Sequence, residues 1–208
     1  MKKNVNLDQV KSYFDKCIQE YGASHRGADW NSDASQNIRF DQLLKVIEGS
    51  GPFSLLDYGC GYGALANYLV QKEYIFDYYG FDILESAIET ARKTYADKSE
   101  RTFLTEKDQL PECDYSVASG IFNFCGNQPF EIWTEHVINE LNILNKMSRK
   151  GFASNFLTKY SDADKMRADL YYADPMFLFD YCKRNFSKNV ALLHDYRLYD
   201  FTIIVRKD

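Results

Sequence analysis

An acid followed by three alternate glycines marks the stretch Ser54-Leu-Leu-Asp-Tyr-Gly-Cys-Gly-Tyr-Gly63. Glycines at 59, 61 and 63 let the backbone turn sharply and approach a ligand with no Cβ in the way. Asp82 lies nineteen residues past Gly63, where it closes the apolar segment Tyr78-Tyr-Gly-Phe81. An acid in that position can accept hydrogen bonds from ribose hydroxyls, so the two features together describe a nucleotide site. Gly59, Gly61 and Ala64 fit a dinucleotide fingerprint only in its loosest form, because Asp57 precedes the first glycine and a third glycine stands at 63.

The elements around these residues suit that chemistry. Leu55 and Leu56 form a short apolar run expected as a strand buried on both faces, with Asp57 at its end. Ala64, Leu65, Tyr68 and Leu69 recur at helical spacing directly after the turn. Upstream, Val10, Tyr13, Phe14, Cys17, Ile18 and Tyr21 mark an amphipathic helix. The polar stretch 22–35 is expected as a long functional loop carrying Arg26, Asp29 and Trp30. A second helix, marked by Phe40, Leu43, Leu44 and Ile47, stops before Gly49-Ser-Gly-Pro52.

Downstream, Leu84, Ala87, Ile88, Ala91 and Tyr95 give a helical stripe. Strands are expected over 101–104, 114–118, 151–156, 190–193 and 201–205, and helices over 131–147 and 176–186. The fourth strand leads into Ser119-Gly-Ile-Phe-Asn-Phe124. The polar, tyrosine-dense stretch 157–175 leaves the carboxyl end of a central strand, the edge where open α/β sheets bind ligands. The alternation of strands and helices predicts a seven-stranded, mostly parallel α/β sheet with helices on both faces. We read residues 1–208 as one domain, with 1–50 an N-terminal helical lid, 51–208 the core and 157–175 a substrate-side insertion.

Composition narrows the function classes. The chain of 208 residues is 45% hydrophobic and 26% charged, as expected of a globular protein. Its net charge of −5 argues against broad contact with a phosphate backbone. No apolar run reaches the length of a membrane span, and the Met-Lys-Lys start lacks the apolar core of a leader. Five cysteines without C-x-x-C pairing read as reduced thiols in a cytoplasmic protein, with no zinc site.

The stretch Leu56-Asp-Tyr-Gly-Cys-Gly-Tyr-Gly63 together with Asp82 resembles the first motifs of class I S-adenosylmethionine (SAM) methyltransferases. Asp29-Trp-Asn-Ser32, Ser119-Gly-Ile-Phe-Asn123, Leu170-Tyr-Tyr-Ala-Asp-Pro175 and Leu193-His-Asp-Tyr196 resemble segments of a small bacterial subgroup. The resemblance implies a Rossmann-like fold whose last strand is antiparallel, SAM as cofactor and S-adenosylhomocysteine (SAH) as product. It implies a cofactor site made of Arg39, Asp57, Gly59, Cys60, Gly61, Gly63, Asp82, Ile83 and Ser119, with Arg39 facing the SAM carboxylate. Glu106 or Asp108 would read the adenine. The Ser119–Asn123 stretch lacks the Asn/Asp-Pro-Pro-Tyr/Phe of amino-methylating nucleic-acid enzymes, which disfavours a DNA or RNA substrate.

A methyltransferase of this kind needs a pocket that aligns the acceptor and, for a hydroxyl, a base. We expect catalytic roles for His194, Tyr172 and Asn123, with His136 structural. Arg26, Trp30, Phe122, Asn155, Tyr171, Asp174 and Tyr196 are expected to bind a small metabolite or sugar-like acceptor at oxygen or nitrogen. A protein or carrier-bound acceptor, or SAM binding without turnover, are the competing expectations. Oligomeric state has no signal in the sequence.

Overall fold

Phe53–Tyr58 (β1) runs through the middle of the sheet with Leu55 and Leu56 fully buried, as an apolar run covered on both faces requires. The computed structural model describes residues 5–97 and 100–207. After the glycine turn come Ala64–Gln71 (α3) and Phe76–Phe81 (β2), which pairs parallel to β1. Glu85–Thr94 (α4), Arg101–Leu104 (β3) and Cys113–Ala118 (β4) follow. Then come Phe130–Met147 (α5), Ser148–Leu157 (β5), Pro175–Asn185 (α6), Asn189–Leu193 (β6) and Asp200–Arg206 (β7). Strand order is β3-β2-β1-β4-β5-β7-β6, with β7 antiparallel to both neighbours. This is the mostly parallel sheet that the pattern predicts, with the antiparallel last strand that the resemblance implies.

Two layers cover it. Phe40, Leu43, Leu65, Leu69, Ile88 and Ala91 form one core cluster; Trp133, Val137, Leu141, Leu144, Leu178 and Cys182 belong to the other. Asp8–Tyr21 (α1) and Asp33–Leu43 (α2) precede the sheet. α2 starts earlier than the hydrophobic stripe suggests, because Ser32 caps it by accepting the Ser35 N–H at 3.1 Å. β5 is longer than expected and starts straight from α5. There Ser148 donates its hydroxyl to the Leu144 carbonyl at 2.6 Å, so the last turn of the helix is closed without a loop.

Between β3 and β4 the described chain forms only a short 3-10 turn, Lys107–Gln109. α1 lies nearby as a strap. Ser86 of α4 donates to Asp15 at 2.5 Å, and Tyr13 stacks on Phe124 beyond β4 with ring centroids 4.1 Å apart. α1 therefore spans from α4 to the turn after β4, across the carboxyl ends of the central strands.

Candidate functional site

The glycine turn is fixed to β2 through its amides. Gly59 and Cys60 both donate to the Phe81 carbonyl, at 2.7 and 2.9 Å, and Gly61 donates to Asp82 Oδ2 at 2.9 Å. Asp82 Oδ1 accepts the Leu84 N–H at 3.0 Å. Each oxygen keeps acceptor capacity for another donor. Burial raises the Asp82 pKa, and these amide bonds oppose the rise. Gly59 and Gly61 have φ of 83° and 54°; nothing lies within 4 Å of where a Cβ on Gly61 would stand, so the backbone offers an open cradle there.

Asp57 is buried at the end of β1, where its Oδ2 accepts the Tyr78 hydroxyl at 2.6 Å. Burial pushes its carboxyl up to about 7, with that hydrogen bond acting the other way. A cationic ligand group brought beside it would restore the charged form.

The turn after β4 forms the facing wall. The Ser119 hydroxyl oxygen is buried with no hydrogen-bond partner among the described residues. Gly120, at φ 73°, donates its N–H to Asn155 Oδ1 at 2.8 Å. A Cβ there would meet the Trp30 ring at 2.4 Å, so glycine lets the indole lie directly on the turn. Asn123 lines the same cavity and uses its Oδ1 to accept the Leu157 N–H at 3.3 Å. Leu7, Val10, Phe14 and Ile18 supply an apolar roof, with Asp29 and Gln36 as polar breaks in the lining.

On the α5 side, buried Glu140 accepts the Tyr58 hydroxyl at 2.5 Å and Lys107 Nζ at 2.8 Å. His136 Nδ1 is 3.6 Å from Glu140 Oε1, and both residues line the cavity. Burial lowers the His136 pKa, against the pull of Glu140. The sequence suggests only a structural role for His136, although its i, i+4 spacing to Glu140 is visible there; the structure puts both in the cavity lining.

Asp57, Gly59, Cys60, Gly61, Asp82 and Ile83 thus share one cavity with Trp30, Ser119 and Asn123. The remaining expected residues lie elsewhere. Arg39 is buried in a two-pronged pair with Asp200, Nε to Oδ1 at 3.2 Å and Nη2 to Oδ2 at 2.6 Å, with its guanidinium 4.2 Å over the Trp30 ring. Its charge is already matched, so the expected carboxylate partner is corrected to a structural clamp behind Trp30. Asn155 serves the same clamp, joining Gly120 to Asp200 at 3.2 Å. Gly63 heads α3, where a Cβ would press on the Tyr95 and Phe103 rings at 2.9 and 3.0 Å; its role is packing.

Phe122 is a core residue stacked on Phe156. Tyr171 is buried against Thr134 at 3.0 Å, and the Tyr172 hydroxyl accepts the Arg167 N–H at 2.9 Å. Asp174 caps α6 and holds Lys159 at 2.7 Å. Tyr196 meets Thr202 at 3.0 Å, and Arg26 is exposed near the Tyr21 ring. His194 is exposed at the end of edge strand β6, three strands from β4, beside Tyr160 and Phe201. Of the two acids expected near adenine, Glu106 borders an open depression beside Ile83, and Asp108 lines neither space.

An open α/β sheet with a glycine turn, an acid ending β2 and a cleft over the carboxyl ends of the central strands defines a nucleotide-cofactor enzyme of the Rossmann-like class. Comparison with known proteins narrows the class. A family profile described as "Methyltransferase domain" matches residues 56–136. The "Putative methyltransferase Rv1506c" of Mycobacterium tuberculosis (strain ATCC 25618 / H37Rv) is 48% identical over 164 residues, which cover 79% of this chain and 99% of that protein. Two solved structures share the fold. Magnesium protoporphyrin IX methyltransferase from Synechocystis PCC 6803 with bound SAM has a TM-score of 0.64 at 18% identity, covering 99% of this chain and 100% of that one. N-methyltransferase NodS from Bradyrhizobium japonicum WM9 in complex with SAH has a TM-score of 0.64 at 14% identity, covering 96% and 99%. The chain belongs to the class I SAM-dependent methyltransferases. The open cradle at Gly61 and the buried, unpartnered Ser119 hydroxyl fit a polar cofactor lying along the glycine turn. Among the described residues no helix is long and apolar enough to cross a membrane.

Proposed function

We propose that this cavity binds SAM along the glycine turn and Asp82, and that the methyl group passes to an oxygen or nitrogen of a small acceptor held beneath α1. One observation carries the reading: a single cavity joins the Gly61 cradle, the Asp82 carboxylate and the Ser119 hydroxyl to a space roofed by Val10, Phe14 and Trp30. Bound SAM supplies a methyl carbon already made electrophilic by its positive sulfur. Asp82 accepts the ribose hydroxyls with the lone pairs that the Gly61 and Leu84 amides leave over. Asp57 draws the ammonium group toward the end of β1 once it is ionised.

Ser119, Asn123 and Trp30 frame the place where the acceptor meets the methyl group, and the apolar face of α1 keeps water from it. The roof supports a small acceptor. Its middle is held from two sides, by Asp15–Ser86 and by the Tyr13–Phe124 stack, which supports a small acceptor over a polymer. The net charge of −5 supports the exclusion of nucleic acid.

Calorimetric titration with SAM, SAH and NAD tests the cofactor, with micromolar or tighter binding of SAM and SAH expected and no NAD binding. SAH release during incubation with size-separated cell extract then tests the acceptor. NAD binding in place of SAM overturns the reading; release only with the macromolecular fraction overturns the small acceptor.

A further inference from the structure

Asp29 is a left-handed residue, φ 56°, on the wall of this cavity. Non-glycine residues in that region cost energy, and the surroundings must hold them there. Two contacts set Asp29 over the turn that follows β4. Its Oδ2 accepts the Tyr13 hydroxyl at 2.9 Å, and the Tyr13 ring stacks on Phe124. Trp30, the next residue, lies on Gly120 so closely that a Cβ there would stand 2.4 Å from the indole. The left-handed turn thus sets Asp29, exposed at the rim, in the same cavity lining as Ser119 and Asn123.

The groups that face Asp29 are Tyr13 and Cys17 of α1 and Arg167 and Asp169 of the segment before α6. Loss of water around the carboxyl raises its pKa, while the Tyr13 hydrogen bond and Arg167 pull it down and Asp169 opposes them. A carboxylate of raised basicity at the rim of a reaction cavity can take a proton and return it to solvent. The histidine expected in that role, His194, stands at the far edge of the sheet.

We infer that Asp29 is the proton acceptor of the methyl transfer, with Tyr13 as the positioning residue that orients its carboxylate. The inference rests on the SAM reading above and adds a substrate class: small acceptors that lose a proton on methylation, a hydroxyl or an N–H. As the acceptor atom bonds to the methyl carbon, the electron pair of the breaking carbon–sulfur bond stays on sulfur. The acceptor's proton passes to the Asp29 carboxylate, which releases it to water at the rim.

A carboxylate one acceptor away from the sulfonium feels its charge, since opposite charges within about 10 Å still interact at ordinary ionic strength. SAM carries that charge and SAH does not, while both carry the same ammonium near Asp57. The ratio of SAM to SAH affinity therefore cancels the ammonium's pairing with Asp57, and Asp29→Asn separates the share of Asp29 in the remaining attraction to the sulfonium from that of Asp57 and Asp82. Calorimetric titrations of the full chain with each ligand across about pH 4–8 should show the ratio rising with pH as Asp29 ionises. Asp29→Asn should flatten the profile and lower the high-pH ratio about threefold or more. Tyr13→Phe should move its midpoint. A carboxylate that only anchors α1 would weaken both ligands alike in the Asn variant, and that equal loss overturns the assignment. A flat wild-type ratio overturns it even if the variants do not fold. Wild-type protein that binds neither ligand defeats the SAM reading itself, whereas binding with a flat ratio defeats only the role of Asp29.

Discussion

The glycine turn at 59–63 and the segment at 157–175 both read as site from sequence, yet they behave oppositely in the structure. The turn lines the cavity at Gly59, Cys60 and Gly61, and its amides are tied to Phe81 and Asp82. The segment's polar groups are taken up by partners within it or in neighbouring elements. Arg167 pairs with Asp169 at 2.6 Å, Lys159 with Asp174 at 2.7 Å, Tyr172 with the Arg167 amide, and Tyr171 with Thr134. Among 157–175 only Leu170 lines the cavity. A motif whose chemistry is carried by backbone geometry announces itself through glycine spacing. A density of Tyr and Asp does not, because caps, turns and ion pairs draw on the same residues.

The contrast can be broken by mutation. The largest effect should come from behind the cavity. Arg39→Ala leaves Asp200 buried without its cation, and loss of one partner from a buried pair costs about 3–5 kcal/mol of stability. Thermal and urea unfolding would measure it; a loss below about 1 kcal/mol would mean that Arg39 is free for another role. Within the turn region, Asp82→Ala should lower SAM and SAH affinity by about 2–3 kcal/mol while the protein stays folded, because charge-assisted hydrogen bonds to ribose disappear. Calorimetry that found unchanged affinity would remove Asp82 from the cofactor site.

Asp57 gives a pH test of the same half. Its pKa near 7 in the free protein means that SAM binding, which favours the ionised form, should release a proton. Affinity should rise with pH by up to about tenfold per unit below that value and level off above it. In the free protein the same shift favours the protonated, folded form, so stability should fall as pH rises from about 4 toward 7. Titration in two buffers of different ionisation enthalpy would detect the proton, and Asp57→Asn should abolish it. An unchanged proton count in that variant would assign the release to another group.

The smallest effects belong to the other region. Asp174→Ala should cost about 1 kcal/mol of stability as a lost helix cap. His194→Ala, at an exposed edge, should change stability by less than about 0.5 kcal/mol and leave SAH affinity unaltered. A large fall in SAH affinity from either substitution would erase the distinction between the two regions.

Much of the fold was legible because period and punctuation agree in this chain. Pro175 opens α6, Arg101–Leu104 is a strand at its expected bounds, and the apolar stripe of α5 faces the core. That Asp57, Gly59, Cys60, Gly61, Asp82 and Ile83 line one cavity was legible for the same reason. Its roof was expected only as a lid over 1–50: the stripe Val10, Phe14, Ile18 states that α1 buries one face, and not which residues that face covers. Arg39 was misread because its partner, Asp200, lies 161 residues away and leaves no local trace. His194 was misread because a histidine beside an acid looks catalytic wherever it stands, and only the strand order shows the distance.

The position of β7 has a consequence for the order of events during synthesis. It inserts between β5 and β6 although it is the last strand made, and its first residue, Asp200, completes the clamp on Arg39 and, through Asn155, on Gly120. A growing chain can pair β1, β2, β3, β4 and β5 and still lack the support behind Trp30 and the turn after β4. The wall of the cavity made by Trp30 and the turn after β4 therefore gains its backing only when β7 is in place.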